Sequence, residues 1–488
     1  MTSAPSLPPS PRVIVVGGGI SGLAAAATLS RGGCSVTVLE GSPRIGGKLA
    51  LDEVAGLTVD VGAEAMLNRR PEATALSRWS GLAEQLVHPA TTSANLWSRG
   101  AMHPMPRTVM GVPTDVRALA RSGVVSRAGL ARVALEAVLP ATRLEGRDVS
   151  VGWLIEERFG RQVVDRLVEP LLGGVYAGHA RELSARATVP QVVSLLDDDR
   201  SMLRAAAAAA ATKARASGQD APVFAGVVGG VGRLPDAVAA SAGLDVRLDA
   251  TVRDLARRRG GGWNLVVGSA HEPEVVSADA VILATPARVT ARLLDDVVPE
   301  AARELARVDY ASMAIVTLAF RAKNFPATSG SGFLVPPVDG RNVKAATYSF
   351  AKWDWVREAG RGRDAGDDLL LLRCSIGRHR EESVLQVEDQ ELVQTALIDL
   401  SAAIGLSVRP VDALVTRWGA ALPQYTVGHV ERVQKVRSAV ASETGLAVCG
   451  AAYDGLGIPA CIASADLAVT QVLDTLAVRG EWAHDAER

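Results

Sequence analysis

Aromatic side chains are scarce in this chain: they make up 4% of 488 residues, whereas 48% of the residues are hydrophobic and 22% are charged. The apolar material is therefore largely aliphatic, and there is enough of it to bury a core and to line a pocket. A chain of this length exceeds one simple core, so two or three domains that share an interior are expected.

Cysteine is rare and the net charge is close to zero. The formal net charge of −1 and the lack of a Lys/Arg-rich tract provide no basic surface, so nucleic acid is not expected as a partner. The cysteines form no CxxC pair, which predicts neither a zinc site nor a disulfide framework, and no metal site is predicted elsewhere. We interpret them as buried thiols of a reducing compartment, the cytoplasm. They are Cys34, Cys374, Cys449 and Cys461.

Long hydrophobic runs are missing as well. No uninterrupted apolar run reaches the ~18 residues of a spanning helix, so no transmembrane segment is predicted. The Pro/Ser-rich stretch Met1–Arg12 has no apolar signal core and is expected to be a disordered leader. Between Val116 and Leu139 four arginines interrupt the apolar segments. This favours a core or a channel wall, with peripheral contact to a membrane as the alternative.

The pattern of elements begins with a βαβ unit. Its parts are the apolar strand Val13–Val16, the glycine-rich turn Gly17–Gly22, the alanine-rich helix Leu23–Leu29 and the apolar strand Val36–Leu39. Further strands are predicted at Leu244–Val252, Asn264–Val267, Ala280–Ala284, Ala314–Phe320, Ala345–Phe350, Leu369–Cys374 and Leu446–Gly450. Helices are predicted at Glu388–Ala403, at Ala463–Leu476 and over the alanine run Ala205–Ala211, which we interpret as a surface helix.

A dinucleotide-binding fingerprint occupies the first turn. Gly17, Gly19 and Gly22 form GxGxxG between a strand and a helix, where they allow a tight turn, admit a pyrophosphate and let helix and strand pack closely. The helix N-terminus then faces the phosphates. Glu40 ends the second strand, where its carboxylate can accept hydrogen bonds from ribose hydroxyls and would repel the 2′-phosphate of NADP. These features do not separate NAD from FAD.

Three more glycine-containing turns suit a long cofactor. Gly41–Lys48 follows the ribose carboxylate, Asp60–Glu64 can direct backbone amides toward a cofactor ring, and Gly450–Pro459 opens a helix late in the chain. Backbone amides at a helix N-terminus favour negatively charged or carbonyl groups of a ligand. A plain structural turn is the alternative for each of them taken singly.

Four internal segments carry a family resemblance that covers nearly the whole chain. They are His103–Pro106 with Gly111–Pro113, Glu169–Gly178, Arg417–Trp418 with Leu422–Tyr425 and Gly428–His429, and Gly457–Pro459. With the nucleotide-binding turns, they resemble the amine-oxidase-like flavoproteins and, more narrowly, the porphyrinogen oxidases. In many of these relatives Gly-Pro stands where this chain has Gly62-Ala63, and we expect a less rigid turn here.

The resemblance implies non-covalently bound FAD and a set of contacts. Arg70 resembles a residue that meets a propionate, and Gly174 one whose carbonyl faces a tetrapyrrole. His103, His179 and His429 are expected to be structural, and no side chain is assigned as acid or base. The implied FAD contacts are Gly17, Gly18, Gly19, Ile20, Ser21, Gly22, Glu40, Gly41, Lys48, Gly62, Ala63, Glu64, Ala65, Val252, Trp418, Gly457, Ile458 and Pro459.

The implied fold class is α/β, with a discontinuous Rossmann-like FAD-binding domain, a mixed α+β substrate domain and a helical subdomain. The FAD-binding parts are predicted at residues 12–66, 222–290 and 441–478. The substrate domain is predicted at residues 67–115 and 291–440, and the helical subdomain at residues 116–215.

The implied activity is a six-electron oxidation of a porphyrinogen by dioxygen in haem biosynthesis, with three hydrogen peroxide released. Heavy use of alanine and arginine indicates a GC-rich bacterial gene, and we therefore rank coproporphyrinogen III ahead of protoporphyrinogen IX. The resemblance also implies contact with a ferrochelatase-type enzyme acting next. The alternatives are an amine oxidase, a carotenoid desaturase and a non-catalytic escort protein on the same fold. The low aromatic content argues against the aromatic cage of an amine oxidase.

Overall fold

The computed structural model describes residues 10–216, 222–364 and 366–486, so most of the predicted leader lies outside the described residues. The strands are β1 Arg12–Val16, β2 Ser35–Leu39, β3 Leu51–Val54, β4 Leu57–Asp60, β5 Met66–Leu67, β6 Leu86–Val87, β7 Asn95–Ser98, β8 Ala101–Pro104, β9 Thr108–Val109, β10 Val112–Pro113 and β11 Phe224–Val227. They continue with β12 Asp245–Arg247, β13 Val252–Arg257, β14 Trp263–Gly268, β15 Pro273–Ala278, β16 Ala280–Leu283, β17 Tyr310–Arg321, β18 Gly332–Leu334, β19 Val343–Thr347, β20 Leu369–Ile376, β21 Asp412–Pro423 and β22 Leu446–Val448.

The α-helices alternate with these strands, with a long helical stretch in the middle of the chain. They are α1 Ile20–Arg31, α2 Pro71–Ser77, α3 Val116–Ser122, α4 Arg127–Ala134, α5 Val151–Phe159, α6 Arg161–Val163, α7 Glu169–Tyr176, α8 Ala185–Thr188, α9 Pro190–Val193 and α10 Leu195–Asp198. The others are α11 Met202–Ala216, α12 Leu234–Ala242, α13 Ala287–Leu294, α14 Pro299–Ala306, α15 Ser349–Lys352, α16 Asp354–Ala359, α17 Asp389–Ile404, α18 His429–Ala441 and α19 Ile458–Ala486.

A five-stranded parallel sheet with the order β12-β2-β1-β16-β22 gathers strands from distant parts of the chain. In β1, Val13 and Val15 face a core formed with α1, α12 and α19, whereas Ile14 and Val16 face a second core formed with α13, α14 and α18. Helices thus cover both faces, which is why the central strands β1 and β16 are apolar at every buried position. This confirms the predicted α/β class.

The predicted strand Leu244–Val252 is wrong as a single element. Asp249 has φ +52°, and the chain turns there, so β12 joins the parallel sheet and β13 starts a separate antiparallel sheet with β14 and β15. A residue in the left-handed backbone conformation interrupts an extended strand. Aspartate, the residue at position 249, tolerates that conformation better than a β-branched residue would. Val252 therefore lies at the beginning of β13, in the antiparallel sheet, rather than at the end of a strand of the parallel sheet.

A seven-stranded sheet with the order β21-β17-β20-β19-β18-β7-β8 forms the second layer. One face packs on α17 through Leu392, Ala396 and Leu400. The predicted strand Ala345–Phe350 is too long, because β19 ends at Thr347 and α15 begins at Ser349. The early end matters, since α15 carries Lys352 to the inside of the molecule.

The middle of the chain is helical, as predicted, from α3 to α11. Its core includes Leu154, Phe159 and Leu167. The alanine-run helix α11 is only partly a surface helix, because Ala205 and Ala206 are buried. The division of the chain into the domain boundaries given above stays a prediction.

Helix α19 begins at Ile458, five residues before the predicted start at Ala463. Its segment Ile458–Ala477 is the one described helix that is long and apolar enough to cross a membrane by length and composition, with a mean hydropathy of 1.3. That segment is 44% buried, and its face with Ala465 and Val472 belongs to the core shared with α1. A helix that packs one apolar face against the core in this way is typical of a globular protein.

Candidate active site

A cavity of about 760 Å³ lies where the carboxyl ends of the parallel strands meet the seven-stranded sheet. In doubly wound α/β folds ligands bind at this edge of the parallel sheet. The predicted site residues that line the cavity are Gly17, Gly19, Ile20, Ser21, Glu40, Gly41, Lys48, Gly62, Ala63, Glu64, Gly174, Val252, Trp418 and Ile458. Those that do not line it are Gly18, Gly22, Ala65, Arg70, Gly457 and Pro459.

The glycines of the first turn have two different roles: Gly17 and Gly22 allow close packing of the backbone, whereas Gly19 leaves open space beside the turn. Gly17 has φ +108°, and a Cβ atom there would lie 2.8 Å from the Ala284 carbonyl oxygen. A Cβ on Gly22 would lie 1.9 Å from the carbonyl oxygen of Gly17. By contrast, a Cβ built on Gly19, the N-cap of α1, has no atom of the described residues within 4 Å apart from its chain neighbours, and no described side chain caps that helix. The open side of the turn and the uncapped helix end suit a phosphate group.

Glu40 is held at the end of β2 by two backbone amides. Its carboxylate accepts hydrogen bonds from the N–H of Gly18 at 2.6 Å and from the N–H of Ser42 at 2.8 Å. Gly18 thus contributes through Glu40 rather than by bordering the cavity. A Cβ on Gly41 would lie 3.2 Å from the Thr251 hydroxyl, so the chain passes close to that residue. This corner has the features of an adenosine-binding end.

Val252 lies at the same end of the cavity as Glu40. It is 4% exposed, and its carbonyl oxygen faces the Arg292 guanidinium at 3.4 Å. Arg292 also lines the cavity and was not predicted. Its position on α13 places a guanidinium beside Val252 at this end of the cavity.

The turn at Gly62 is fixed against the chain at Lys48. A Cβ on Gly62 would lie 2.0 Å from the Lys48 carbonyl oxygen and 3.3 Å from the Trp418 ring. The N–H of Ala63 donates to the Lys48 carbonyl at 3.2 Å, a bond that proline could not make. The expected loosening of this turn is therefore offset by a hydrogen bond. Burial lowers the pKa of the Lys48 amine.

Trp418 and the start of α19 close the other end of the cavity. The Trp418 indole N–H donates to the Val61 carbonyl at 2.9 Å, which fixes the ring beside the Gly62 turn. Ile458 borders the cavity in the first turn of α19, and the Gly457 carbonyl accepts the first bond of that helix from the Cys461 N–H at 3.0 Å. Gly457 therefore acts by starting the helix.

Glu64 is the centre of a buried charge cluster that the sequence analysis missed. Its carboxylate accepts from Lys352 at 2.6 Å and from Arg373 at 2.9 Å. Burial alone would raise the pKa of Glu64, but the two cations outweigh it and lower the pKa to about 2. Arg373 also donates to the Gly62 carbonyl. All three charged residues line the cavity.

The wall of the cavity away from Glu40 and Val252 is one face of the seven-stranded sheet. Ile315 and Ala345 both pair with Ser375 across neighbouring strands, and Thr347 pairs with Arg373. Alternation along each strand brings these side chains to the same face. Gly174 on α7 lies opposite, with Leu334 as the nearest side chain to its Cβ position at 3.6 Å. Alternating residues of β20 were the signal that could have revealed Arg373.

Arg70 and the three histidines do not border the cavity. Arg70 pairs with Glu72 at 2.5 Å and is the N-cap of α2, and its side chain is 42% exposed. The rings of His103, His179 and His429 each contact main-chain carbonyl oxygens at 2.9–3.0 Å. Burial, as the main cause, lowers the pKa of His429 to about 4. The histidine geometry agrees with the structural role expected for them.

The cavity residues fit a flavin dinucleotide. The glycine turn leaves room for phosphates and Glu40 lies beside that turn at the end of β2. The Nε of Arg373 and the Oγ of Ser375 are buried and have no hydrogen-bond partner among the described residues. Buried polar groups without partners mark positions where a ligand can complete the hydrogen bonding. No group of three or more metal-ligating side chains occurs among the described residues.

Comparison with known proteins agrees with this geometry. Residues 20–473 match the family model described as flavin containing amine oxidoreductase. Coproporphyrinogen III oxidases from Mycobacterium tuberculosis and Bacillus subtilis are 38% and 30% identical, and each alignment covers 95% of this chain and 97% or 98% of the relative. A solved structure of a provisionally named protoporphyrinogen oxidase from Exiguobacterium sp. 255-15 has a TM-score of 0.82 at 30% identity, covering 95% and 99% of the two chains. The chain therefore belongs to the flavin-containing amine oxidoreductase family.

Proposed function

We propose that this protein is an FAD-dependent coproporphyrinogen III oxidase that uses dioxygen as its electron acceptor. The observation that carries the proposal is one continuous cavity, which extends from Glu40, at the end we assign to adenosine, to the face of β17, β19 and β20. A substrate bound against the face of β17, β19 and β20 would therefore contact the ring of a cofactor bound in the rest of the cavity. The names of the mycobacterial and Bacillus relatives support the choice of substrate.

Membership in a flavin-containing family favours FAD over NAD, and the cavity has room for both arms of a dinucleotide. Beyond the phosphate turn it continues past Lys48 and Gly62 to Trp418 and Ile458, which gives a second arm for a ring system. Non-covalent binding is supported by Cys461, the cysteine that lines the cavity. Burial raises the pKa of its thiol to about 11, and a protonated thiol is a poor nucleophile.

A bound flavin would supply the redox chemistry, the transfer of two electrons and one proton from the substrate in each of three turnovers. One coproporphyrinogen III and three dioxygen would give one coproporphyrin III and three hydrogen peroxide, so six electrons and six hydrogens balance. The described residues serve binding and orientation. Met313, Ile315 and Ala345 present an apolar wall, and Gly174 leaves the opposite side open for a macrocycle.

Coproporphyrinogen III carries four carboxylates and protoporphyrinogen IX two, so the first requires more cationic partners. We propose coproporphyrinogen III as the preferred substrate, with protoporphyrinogen IX as a second substrate. The wider proposal includes reaction in the cytoplasm and contact with a ferrochelatase-type enzyme that takes the product. Four free cysteines among the described residues support a reducing compartment.

The amine-oxidase alternative is not favoured by the cavity. The aromatic side chains that line it, within the described part of the chain, are Tyr310 and Trp418. The Tyr310 hydroxyl accepts a hydrogen bond from the Ala287 N–H at 2.7 Å. Two aromatic rings, one of them tied to α13, do not make a cage around an amine.

The test is turnover of the purified protein with each porphyrinogen in air, followed by porphyrin fluorescence and oxygen uptake. We expect a yellow protein that releases its flavin on acid precipitation and consumes about three oxygens per coproporphyrin, as six electrons over a two-electron carrier require. A colourless protein would support an escort role. A yellow protein that is inert with both porphyrinogens, but turns over amines or polyenes, would contradict the proposed substrate.

The glycine at the cavity mouth supplies a matched variant. Gly174→Leu fills space on the substrate side, where the nearest side chain to the new Cβ is 3.6 Å away. We expect KM for coproporphyrinogen III to rise at least about tenfold, which is ~1.4 kcal/mol of binding, while the flavin spectrum is unchanged. Gly173→Ala is the control, because Gly173 does not line the cavity and its Cβ position is open. Equal KM values for both variants would contradict this placement of the substrate.

A further inference from the structure

Glu64, Lys352 and Arg373 form a closed charge cluster in the cavity wall. Glu64 and Arg373 are contributed by different layers of the molecule, because Glu64 follows β4 and Arg373 lies in the middle of β20. The side chains are 12%, 16% and 9% exposed, so water screens their charges only weakly. Ser349 also donates to Glu64 at 3.3 Å. The cluster joins the Gly62 turn to the seven-stranded sheet.

The cluster lies at the redox end of the cavity. Glu40 and Val252 mark the adenosine end, and Gly17–Gly22 the phosphate turn. The other arm of a dinucleotide must therefore extend away from Val252, toward the Gly62 turn that Arg373 holds by its carbonyl. Arg373 lines this cavity. Its Nε is buried and has no hydrogen-bond partner among the described protein atoms. It is a donor available to a ligand at that end.

The charges of the cluster and its nearest neighbour are almost balanced. Asp60 is also buried, accepts from the N–H groups of Val231 and Gly232, and experiences the charges of Arg373 and Glu64. When Asp60 is ionised, two carboxylates face two cations. Removal of any single charge therefore leaves a net charge of known sign close to the cofactor ring.

We propose that Glu64, Lys352 and Arg373 set the reduction potential of the bound flavin, with Glu64 as the positioning residue that holds both cations. The inference rests on the flavin part of the proposed function and not on the porphyrinogen. Uptake of two electrons and one proton gives the ring one negative charge more than its oxidised form. Fixed charges beside the ring therefore act on the two forms unequally.

The inference predicts shifts of opposite sign for two neutralising variants. Lys352→Met removes a positive charge, so the reduced flavin is bound less tightly relative to the oxidised flavin and the potential falls. Glu64→Gln removes a negative charge from the same cluster, so the potential rises. We expect each change to alter the affinity ratio of the two forms at least about tenfold, which is about 30 mV for a two-electron couple.

The experiment is reduction of the purified flavoprotein against reference dyes without oxygen, with the flavin absorbance as the readout. Lys352→Arg keeps the charge and should retain the wild-type potential. If Glu64→Gln does not fold, the comparison of Lys352→Arg with Lys352→Met still tests the inference. Lys435→Met is the matched control, because it removes the same charge from the exposed surface of α18 and should leave the potential unchanged. Potentials are read without porphyrinogen, so the result does not depend on the substrate.

Two outcomes would overturn the inference. If Lys352→Met and Glu64→Gln move the potential in the same direction, or leave it unchanged with flavin still bound, the cluster is only structural. If Lys352→Arg shifts the potential as much as Lys352→Met, geometry rather than charge is responsible. A colourless wild-type protein would instead refute the flavin proposal itself.

Discussion

The glycine turn offers a sharp test, because the structure assigns different tasks to Gly19 and Gly22. In Gly22→Ala the new methyl group would lie 1.9 Å from the carbonyl oxygen of Gly17 and 3.2 Å from the Ala284 Cβ. The first contact is with backbone at the end of β1, which cannot rotate away. The strand and the helix must separate by at least about 1 Å, and overpacking of this kind costs ~1–3 kcal/mol.

Gly19→Ala has the opposite expectation. Apart from its chain neighbours, no atom of the described part of the chain lies within 4 Å of its Cβ position, and its φ of −73° is accessible to alanine. The apo-protein should keep its free energy of unfolding within ~1 kcal/mol, since alanine is only a weaker N-cap than glycine. The methyl group occupies the space of a phosphate, however, so flavin affinity should fall at least about tenfold, or ~1.4 kcal/mol.

The assay is urea unfolding of the flavin-stripped proteins together with flavin titration of each variant. Gly22→Ala should unfold at lower urea even without flavin, and Gly19→Ala should show its defect only when flavin is added. The reasoning is refuted if apo Gly22→Ala is as stable as the wild type, or if Gly19→Ala binds flavin with wild-type affinity.

Two buried charged groups give further expectations for stability. Arg158→Met leaves Glu136, which is fully buried and accepts from that guanidinium, without its cation, so the free energy of unfolding in urea should fall by ~3–5 kcal/mol; a loss below ~1 kcal/mol would contradict this. Burial, as the main cause, raises the pKa of Asp60 from 3.8 to about 6, so the folded protein binds more protons than the unfolded chain between these values. The wild type should therefore lose up to ~3 kcal/mol from this group as pH rises from about 4 to about 6. Asp60→Asn should remove that slope in urea unfolding at several pH values, and parallel curves for the two proteins would refute the assignment.

Local sequence determined the nucleotide-binding part of the fold. The buried parts of β1 and β16 are apolar because both faces of the parallel sheet are covered, and such runs are recognisable without tertiary information. The glycine turn and Glu40 lie within one βαβ unit, where spacing along the chain fixes spacing in space. The resemblance of the internal segments then indicated the family, and the chain's membership in it is now shown.

Element ends were less predictable because they depend on single residues in context. Asp249 turns the chain out of the parallel sheet at a left-handed φ, and the apolar pattern continues across that point without a break. Likewise, apolar residues continue to alternate with Thr347 and Ser349 up to Phe350, although β19 changes into α15 within this stretch. In both cases apolar residues are buried on either side of the turn, so hydrophobic periodicity alone does not show where the strand ends.

The charge cluster was decided by tertiary structure alone. Glu64 is separated from Lys352 by 288 residues and from Arg373 by 309. The alternation along β20 indicates the face on which Arg373 lies, but it does not show which carboxylate meets that face. The sequence itself determined which residues form the parallel sheet and the phosphate turn, because those depend on neighbours along the chain. The folded structure decided which distant charges meet beside them, because burial makes an unpaired charge costly and only packing of the two layers brings the partners together.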